Sequence, residues 1–258
     1  MGHLAQYYAQ WKALIAGGKV LSGWQVFYVK FYQAFLEADR WKQYLNGVGT
    51  TLFVTAMALA LGIVLGVAVA MVRTAHDQQR PDRRNFFLGF VNIICKIYVT
   101  IIRGTPMMVQ LLIMGMVIFS RSRNFTAVGA LTLGINSGAY VAEIIRGGLM
   151  SLDPGQAEAG RSLGLNYMDT MRFIVIPQAF KSILPALGNE FIILLKDTSL
   201  ITVIGGKELL YAAQGIYGRT YEAMFPLIGT AVIYLALVMV FSWLQGKLER
   251  RLRQSDRH

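Results

Sequence analysis

The sequence has 258 residues, of which 55% are hydrophobic and 15% charged, and its formal net charge is +11. Soluble domains carry about a quarter charged residues, so this composition favours an integral membrane protein. The basic residues do not form a patch with interleaved aromatic residues, which argues against nucleic acid as a partner. An excess of basic residues is typical of membrane-protein loops that face anionic lipid.

The N-terminal segment, residues 1–46, precedes the first long apolar run, which begins near Val48. We expect it to form an amphipathic helix at the outer membrane interface, and the alternative is a sixth, poorly formed span. A run that starts so late does not fit the apolar region of a cleavable signal peptide. The segment combines lysines with the aromatic residues Trp11, Trp24, Phe27, Tyr28, Phe31, Tyr32, Phe35 and Trp41.

Five apolar segments are then predicted to cross the membrane. A hydrocarbon core about 30 Å thick requires about 20 apolar residues of helix. The second segment is interrupted by a polar turn at residues 103–106, and we interpret it as a lead-in piece followed by one kinked helix. The predicted spans are residues 50–72, 96–119, 127–145, 183–205 and 225–244.

Small residues recur every four positions in the first span, at Ala58, Gly62, Gly66 and Ala70. Such a stripe allows a neighbouring helix to approach closely. Small residues are also common in any membrane helix, so the spacing alone leaves both interpretations open.

The distribution of basic residues predicts the orientation. Loops rich in lysine and arginine face the cytoplasm, which places the N-terminus outside and the C-terminus inside. The loops on the proposed outer side hold Arg121, Arg123, Lys207 and Arg219. The proposed cytoplasmic segments, residues 73–95 and 247–258, hold Arg73, Arg80, Arg83, Arg84, Lys247, Arg250, Arg251, Arg253 and Arg257.

Catalytic motifs are missing from the sequence. It has no G-x-x-x-x-G-K-[S/T] loop for phosphates, so we expect that the chain does not hydrolyse ATP itself. His3, His76 and His258 are scattered, and the single Cys95 excludes an internal disulfide and disfavours a cysteine metal site. These features argue against a membrane-embedded enzyme.

A polar segment at residues 150–177 lies between apolar runs. Ser151 or Asp153 can cap a helix, and Pro154 suits its first position, where the missing N–H has no partner in any case. Gly164 can end that helix in the left-handed conformation. The sequence therefore predicts a short helix that stops at this glycine.

A second short helix is predicted at residues 167–176, because Asn166 and Asp169 resemble another helix cap. The polar groups of such a two-helix unit would be too costly inside hydrocarbon. The unit is suited to a groove on another protein, and the alternative is an ordinary solvated loop.

This segment resembles the E-A-A-x3-G-x9-I-x-L-P loop of bacterial ATP-binding-cassette (ABC) importer permeases. The matching positions are Glu158, Ala159, Gly164, Ile174 and Pro177. The departures are Gly160 in place of the second alanine and Ile176 in place of leucine. Glycine at this position is expected to loosen the short helix by about 1 kcal/mol relative to alanine.

Further elements resemble the polar amino-acid branch of that family and occur in the same order. They are R-G-T-P-x-x-x-Q at residues 103–110, A-Y-x-x-E-x-x-R-G-G at 139–148, P-Q-A at 177–179 and K-D-T-S-L at 196–200. The resemblance covers residues 46–246. It implies an all-α, five-span type I importer core at residues 47–246, after the N-terminal segment and before a basic cytoplasmic tail at 247–258.

The resemblance also implies how the protein works. In this family the loop is a coupling helix that docks on an ATPase subunit, so the docking element would be Glu158, Ala159, Gly160 and Gly164, with Arg161 and Leu163 as contacts. The chain would bind no cofactor itself, with ATP and Mg²⁺ on the ATPase pair. Other implied partners are an extracytoplasmic amino-acid-binding protein and a second permease subunit, a copy or a paralogue, with a homodimer slightly favoured. The assembly would import a polar amino acid across a bacterial plasma membrane.

Charged residues inside the predicted spans are candidates for the translocation path, since charge is expensive there. The charged candidates are Arg103, Glu143, Glu190, Lys196 and Asp197, and the polar Asn136 is a further candidate. Glu190 either lines the path and holds an ammonium group, or belongs to a structural network with Arg103, Lys196 or Glu143. Glu143 and Arg146 are three apart and are expected to pair.

The runner-up function is an ion-coupled secondary transporter or a channel. Such proteins do not need a cytoplasmic two-helix docking unit, and the sequence shows no readable inverted repeat.

Overall fold

The computed structural model describes residues 2–79 and 85–254, and within these ranges every regular element is helical. Arg80, Arg83, Arg84 and Arg257, which entered the orientation argument, lie outside the described residues. The α-helices are α1 (Gly2–Ala16), α2 (Gly23–Phe35), α3 (Trp41–Asp77), α4 (Phe86–Gly104), α5 (Met107–Leu112), α6 (Phe125–Met150), α7 (Pro154–Ser162), α8 (Tyr167–Thr170), α9 (Ile176–Asp197), α10 (Leu209–Thr220) and α11 (Met224–Gln254).

Four helical segments of the described chain are long and apolar enough to cross a membrane: Glu37–Asp77, Phe86–Gly104, Phe125–Met150 and Met224–Leu252. The predicted first, third and fifth spans lie within α3, α6 and α11. The predicted fourth span corresponds to α9 and a following 3₁₀ turn, Thr198–Ile204, which ends at Gly205 with φ 82°. Because α9 carries several charged residues, it is not among the four, and the count of five spans stays a prediction.

The second predicted span needs correction. Instead of one kinked helix at residues 96–119, the chain forms α4 and then α5 with a π-helical turn, Ile113–Ile118. The break lies at Thr105 (φ −118°, ψ 145°), whose extended backbone follows from steric conflict with the ring of Pro106.

Helices α4 and α5 form a V against α6. Along α4, Tyr98 donates to the carbonyl of Ile135 and Arg103 reaches Glu143 further along α6. Along α5 the contacts return towards the start of α6, from the bond between Asn136 and Gln110 to the packing of Leu111 against Val128. The chain therefore reverses direction at the polar turn, residues 103–106.

The main core interface joins α3 and α6. Ala58 is fully buried, and a Cβ atom at Gly62 would lie 2.8 Å from Ser137 Oγ. At Gly66 it would lie 2.5 Å from Val141 Cγ1. The stripe of small residues in the first span therefore serves close helix packing, since any larger side chain would separate the two helices.

The N-terminal segment forms two helices, α1 and α2, rather than the single helix predicted. They have 15 and 13 residues, and each is shorter than the length needed for a span. The chain then turns into α3 through Ala38 (φ 52°) and Asp39 (φ 56°).

Two opposite ends of the bundle can be assigned from contacts. Tyr167, after α7, bonds Gln78 at the C-terminal end of α3, and Gln245 of α11 donates to the carbonyl of Pro185 early in α9. At the other end, Phe35 of α2 packs on Tyr44 at the start of α3. The polar segment and the C-terminal part of α11 therefore share one end, and α2 lies at the other.

Candidate functional site

Helix α7 begins with a side-chain cap. Asp153 Oδ1 accepts a hydrogen bond from Gly155 N at 2.8 Å, and Pro154 occupies the first turn. Of the two predicted caps, Asp153 is the one used, while Ser151 Oγ donates to the carbonyl of Gly148 at 2.9 Å.

Helix α7 ends in a Schellman motif. Gly164 has φ 82°, which confirms the predicted left-handed residue. Its N–H bonds the carbonyl of Arg161 at 2.9 Å, and Leu165 N bonds the carbonyl of Gly160 at 3.1 Å. These two bonds satisfy carbonyls that would otherwise be orphaned, so the stop after α7 is encoded locally.

The second predicted cap is present, but the helix it starts is not separate. Asn166 Oδ1 accepts from Asp169 N at 2.9 Å. From Tyr167 the chain is helical through α8, a π turn at Met171–Val175 and α9, instead of ending near residue 176. Pro177 is the second residue after the π turn. Because a proline ring collides with the carbonyl four residues earlier in a regular helix, the wider turn lets the helix continue.

The packing explains Gly160. A Cβ atom at this position would lie 2.9 Å from both Cγ2 and Oγ1 of Thr170 and 3.1 Å from Cδ1 of Ile174. Thr170 is buried and donates to the carbonyl of Asn166 at 2.9 Å, which holds its side chain in place. Helix α7 therefore folds directly onto α8 and the π turn, with no room for alanine.

The outer face of this unit is exposed. Glu158, Ala159 and Arg161 are exposed, as is Leu163, which has 79% of its surface accessible. Met168 is 67% exposed. Large apolar side chains at the tip of a polar unit are typical of a surface that another protein covers.

A cleft of about 600 Å³ lies between this unit and the ends of α3 and α6. Its lining residues include Gln78, Met150, Gln156, Arg161 and Tyr167. The hydrogen bond from Tyr167 Oη to Gln78 Oε1 crosses it and ties the unit to α3.

Glu143 is the centre of a charge cluster. Its carboxylate pairs with Arg73 of α3, with Arg146 at 3.3 Å and with Arg103 at 3.9 Å. The pair with Arg146 confirms the sequence prediction, and Arg73 is a partner that the sequence did not identify. The guanidinium of Arg103 also lies 5.3 Å from the ring centre of Tyr140.

Gln110 holds the polar turn between α4 and α5. Its Nε2 donates to the carbonyl of Ile102 at 2.7 Å and to Thr105 Oγ1 at 2.8 Å. Its Oε1 accepts from Asn136 Nδ2 at 3.0 Å. Asn136, a path candidate, is thus buried and serves to fix the turn, while Arg103 on the turn is exposed.

Glu190 lies on the face of α9 that packs against α6. It is buried and accepts from Ser137 Oγ at 2.8 Å, which links α9 to α6. Within the described ranges it forms no ion pair with Arg103 or Lys196. Lys196 is exposed and lines a separate cavity of about 300 Å³, and Asp197 is half-buried.

Glu208 is a buried polar residue that the sequence analysis missed. Its carboxylate accepts from Thr202 Oγ1 at 2.6 Å, Tyr211 N at 2.8 Å, Tyr234 Oη at 2.5 Å and Thr51 Oγ1 at 3.4 Å. These donors join α3, the 3₁₀ turn, α10 and α11 at the end of the bundle opposite the polar segment. The one available signal was an acid directly before a helical run, which is typical of a cap.

Comparison with known proteins agrees with this architecture. The glutamine transport system permease protein GlnP of Escherichia coli (strain K12) is 37% identical over 215 residues, covering 81% of this chain and 92% of that protein. The arginine transport system permease protein ArtQ of Bacillus subtilis (strain 168) is 34% identical over 217 residues, covering 82% and 93%.

Two solved structures are similar as well. The crystal structure of an amino acid ABC transporter with histidines matches with a TM-score of 0.73 and 39% identity, over 81% of this chain and 94% of that one. The MetNI methionine ABC transporter in an inward-facing conformation matches with a TM-score of 0.70 but only 18% identity, which supports the fold alone.

The sequence also matches a family over residues 85–254, more than half of the chain. The chain belongs to the family of binding-protein-dependent transport system inner membrane components.

Proposed function

We propose that this chain is the membrane-spanning subunit of an ABC importer that moves a polar amino acid into the cell. The observation that carries the proposal is the match to permeases named for glutamine and arginine transport, over more than four-fifths of this chain. The apolar helices and the family make it a multi-pass protein of a bacterial inner membrane.

Helix α7 is the proposed contact with a separate ATPase subunit. Glu158, Ala159, Gly160 and Gly164 would form the docking element, with Arg161 and Leu163 as contacts. The exposed Leu163 supports this role, because burying an apolar side chain in a groove is favourable whereas leaving it in water is not. ATP and Mg²⁺ would bind to the pair of ATPase subunits.

The path of motion follows from the packing of α7. It contacts Thr170 through Gly160, and Gln178 donates to Gln156 at 3.1 Å. Since the chain is helical from Tyr167 to the end of α9, a displacement of α7 would move α9 as one body and act on α6 at the contact between Glu190 and Ser137. We therefore assign Glu190 and Asn136 to the structural network.

Arg103 is the strongest candidate for the path among the charged residues. It is exposed on a polar turn packed against the middle of α6, where a charge needs water or a partner. Glu143 and Tyr140 would orient its guanidinium. The positions of Lys196 and Asp197 support no specific role in transport.

The remaining partners are an extracytoplasmic binding protein and a second permease subunit, for which we favour a copy of this chain. The N-terminus would lie outside and the C-terminus in the cytoplasm. This orientation is supported by the position of α7 and the C-terminal part of α11, which lie at the same end of the bundle.

Reconstitution tests the function. Liposomes are prepared with the permease, its ATPase and its binding protein. They should accumulate a labelled polar amino acid only when ATP is present on the side of the membrane that carries the ATPase. Uptake by the permease alone, driven by an ion gradient, would instead establish the secondary transporter. ATP-independent flux in both directions would establish a channel.

A matched pair of variants tests the docking element. Leu163→Ala should weaken co-purification of the ATPase at least tenfold, while Leu45→Ala, an exposed leucine at the other end of the bundle, should leave it unchanged. Equal retention of the ATPase by both variants would contradict the role of α7.

A further inference from the structure

The hairpin formed by α1 and α2, residues 2–35, lies outside the family match, which begins at residue 85. Its two helices pack through aromatic rings: Tyr8 stacks on Tyr32 at 4.4 Å and Trp11 meets Tyr28 edge-on at 5.2 Å. Tyr28 also donates to the carbonyl of Leu4 at 3.0 Å. The hairpin is therefore a packed unit that the family match does not account for.

The hairpin is fixed to the first turns of α11. Phe27 meets Phe225 edge-on at 5.1 Å, and Lys30 forms an ion pair with Glu222 at 2.7 Å. Phe35 lies so close to Gly229 that a Cβ atom there would be 2.5 Å from the ring. The position of α2 along the bundle is thus set by the point where α11 begins.

One face of α2 carries an exposed aromatic stripe of Trp24, Phe27 and Phe31, which are 68%, 45% and 41% exposed. The spacing of three and four residues puts them on one side of the helix. Phe27 stacks between the other two, at 5.5 and 6.3 Å.

The aromatic stripe is continuous with the lipid-facing surface of α11. Beyond Phe225, that helix exposes Ile228, Val232 and Leu235, and the segment Met224–Leu252 is long and apolar enough to cross a membrane. An apolar stripe next to the end of a span, on a helix too short to cross, lies at the depth of the membrane interface.

Aromatic residues are favoured at this depth of the membrane. The left-handed residues Ala38 and Asp39 break the helix between α2 and α3, so α2 need not follow the direction of the span.

We propose that α2 lies in the headgroup–acyl boundary of the leaflet at the end of the bundle opposite α7, with Trp24, Phe27 and Phe31 in contact with lipid. The hairpin then anchors the start of α11 to the bilayer surface. This inference concerns residues outside the family match and does not depend on transport.

Site-directed spin labelling of the full chain in liposomes tests the depth. With Cys95 replaced by Ala, a nitroxide is attached at Trp24→Cys or Phe31→Cys, at Val232→Cys as the lipid control, or at Ser162→Cys as the water control. Collisions with oxygen, which concentrates in lipid, and with a water-soluble nickel chelate are then compared. Both test positions should give ratios of oxygen to nickel collision rates that lie between those of the two controls. Such values correspond to a depth about 5–10 Å below the headgroups.

Two results would overturn the proposal. A ratio equal to that of Ser162→Cys would place α2 in water, and a ratio equal to that of Val232→Cys would place it deep in the membrane as part of a span. A single symmetric gel-filtration peak before reconstitution shows that each labelled chain is folded. A failure of amino-acid transport would count against the proposed function but not against this anchor.

Discussion

Gly160 of α7 and Thr170 of α8 face each other at a distance that excludes a methyl group on the glycine. A Cβ atom at Gly160 would lie 2.9 Å from two atoms of the buried threonine. The glycine at the position where the resemblance predicts alanine is therefore matched by a β-branched side chain on the facing helix.

Gly160→Ala should destabilise the packing of α7 on α8 despite the better helix propensity of alanine. The propensity gain is about 1 kcal/mol, whereas overpacking costs about 1–3 kcal/mol. We expect a lower melting temperature of the detergent-purified complex and weaker coupling of ATP hydrolysis to transport. Thr170→Ala in the same chain should restore both, and Gly147→Ala, a helical glycine with no atom within 4 Å of its Cβ position, should be neutral or stabilising. A Gly160→Ala variant as stable as the Gly147→Ala variant would show that Thr170 moves aside freely.

Gly164 is required for its backbone conformation rather than for space. Its φ is 82°, and no atom lies within 4 Å of a Cβ position. Gly164→Val should therefore disrupt the end of α7, since the left-handed conformation costs about 1–2 kcal/mol for an ordinary residue and more for a branched one. Gly164→Asn should retain most of the transport, because asparagine tolerates this conformation. Transport per ATP hydrolysed is the measurement, and equal behaviour of the two variants would contradict the explanation.

Reversing the charge of Glu158 should uncouple the transporter without unfolding the permease. The side chain is exposed in the middle of α7, so Glu158→Lys removes no buried contact. We expect transport to fall at least tenfold with an unchanged melting temperature of the permease. Glu249→Lys, an acid-to-base change on α11, is the control. The prediction fails if both variants transport equally well.

Removing the charge of Glu143 leaves three guanidiniums without an anion. Because the four side chains are 14–43% exposed, the expected cost of Glu143→Gln is about 1–3 kcal/mol, between the values for exposed and buried pairs. Arg73→Gln in the same chain should recover part of it, since Arg73 is the least exposed of the three. Thermal unfolding of both variants measures the effect, and a neutral Glu143→Gln would show that water or lipid satisfies the arginines.

Glu208 should tolerate glutamine but not alanine. Glutamine keeps an acceptor for Thr202 and Tyr211 N, and its amide can donate to the hydroxyl groups of Thr51 and Tyr234. Alanine would leave several buried donors unsatisfied, at about 1–3 kcal/mol for each. We expect Glu208→Ala to reduce folded protein in the membrane several-fold and Glu208→Gln to resemble the original chain, as measured by gel filtration. Equal loss in both variants would indicate that the negative charge itself is needed.

Features that arise within a few residues of the chain could be predicted from local sequence patterns. Hydrophobic run length predicted the spans in α3, α6 and α11. The cap residues Asp153, Gly164 and Asn166 predicted where α7 begins and ends and where α8 begins, because each cap bonds a backbone group no more than three or four residues away.

Which polar groups meet, and where the chain reverses, depends on how the helices pack. Arg73 and Glu143 are 70 positions apart, and Thr51 and Glu208 are 157 apart, so no local pattern records either contact. Proline at position 106 indicated a break, but the V of α4 and α5 depends on how both helices pack against α6. Local hydrogen bonds and periodicity set the helices, whereas the choice of polar partners follows from burial, which exists only once the helices have packed.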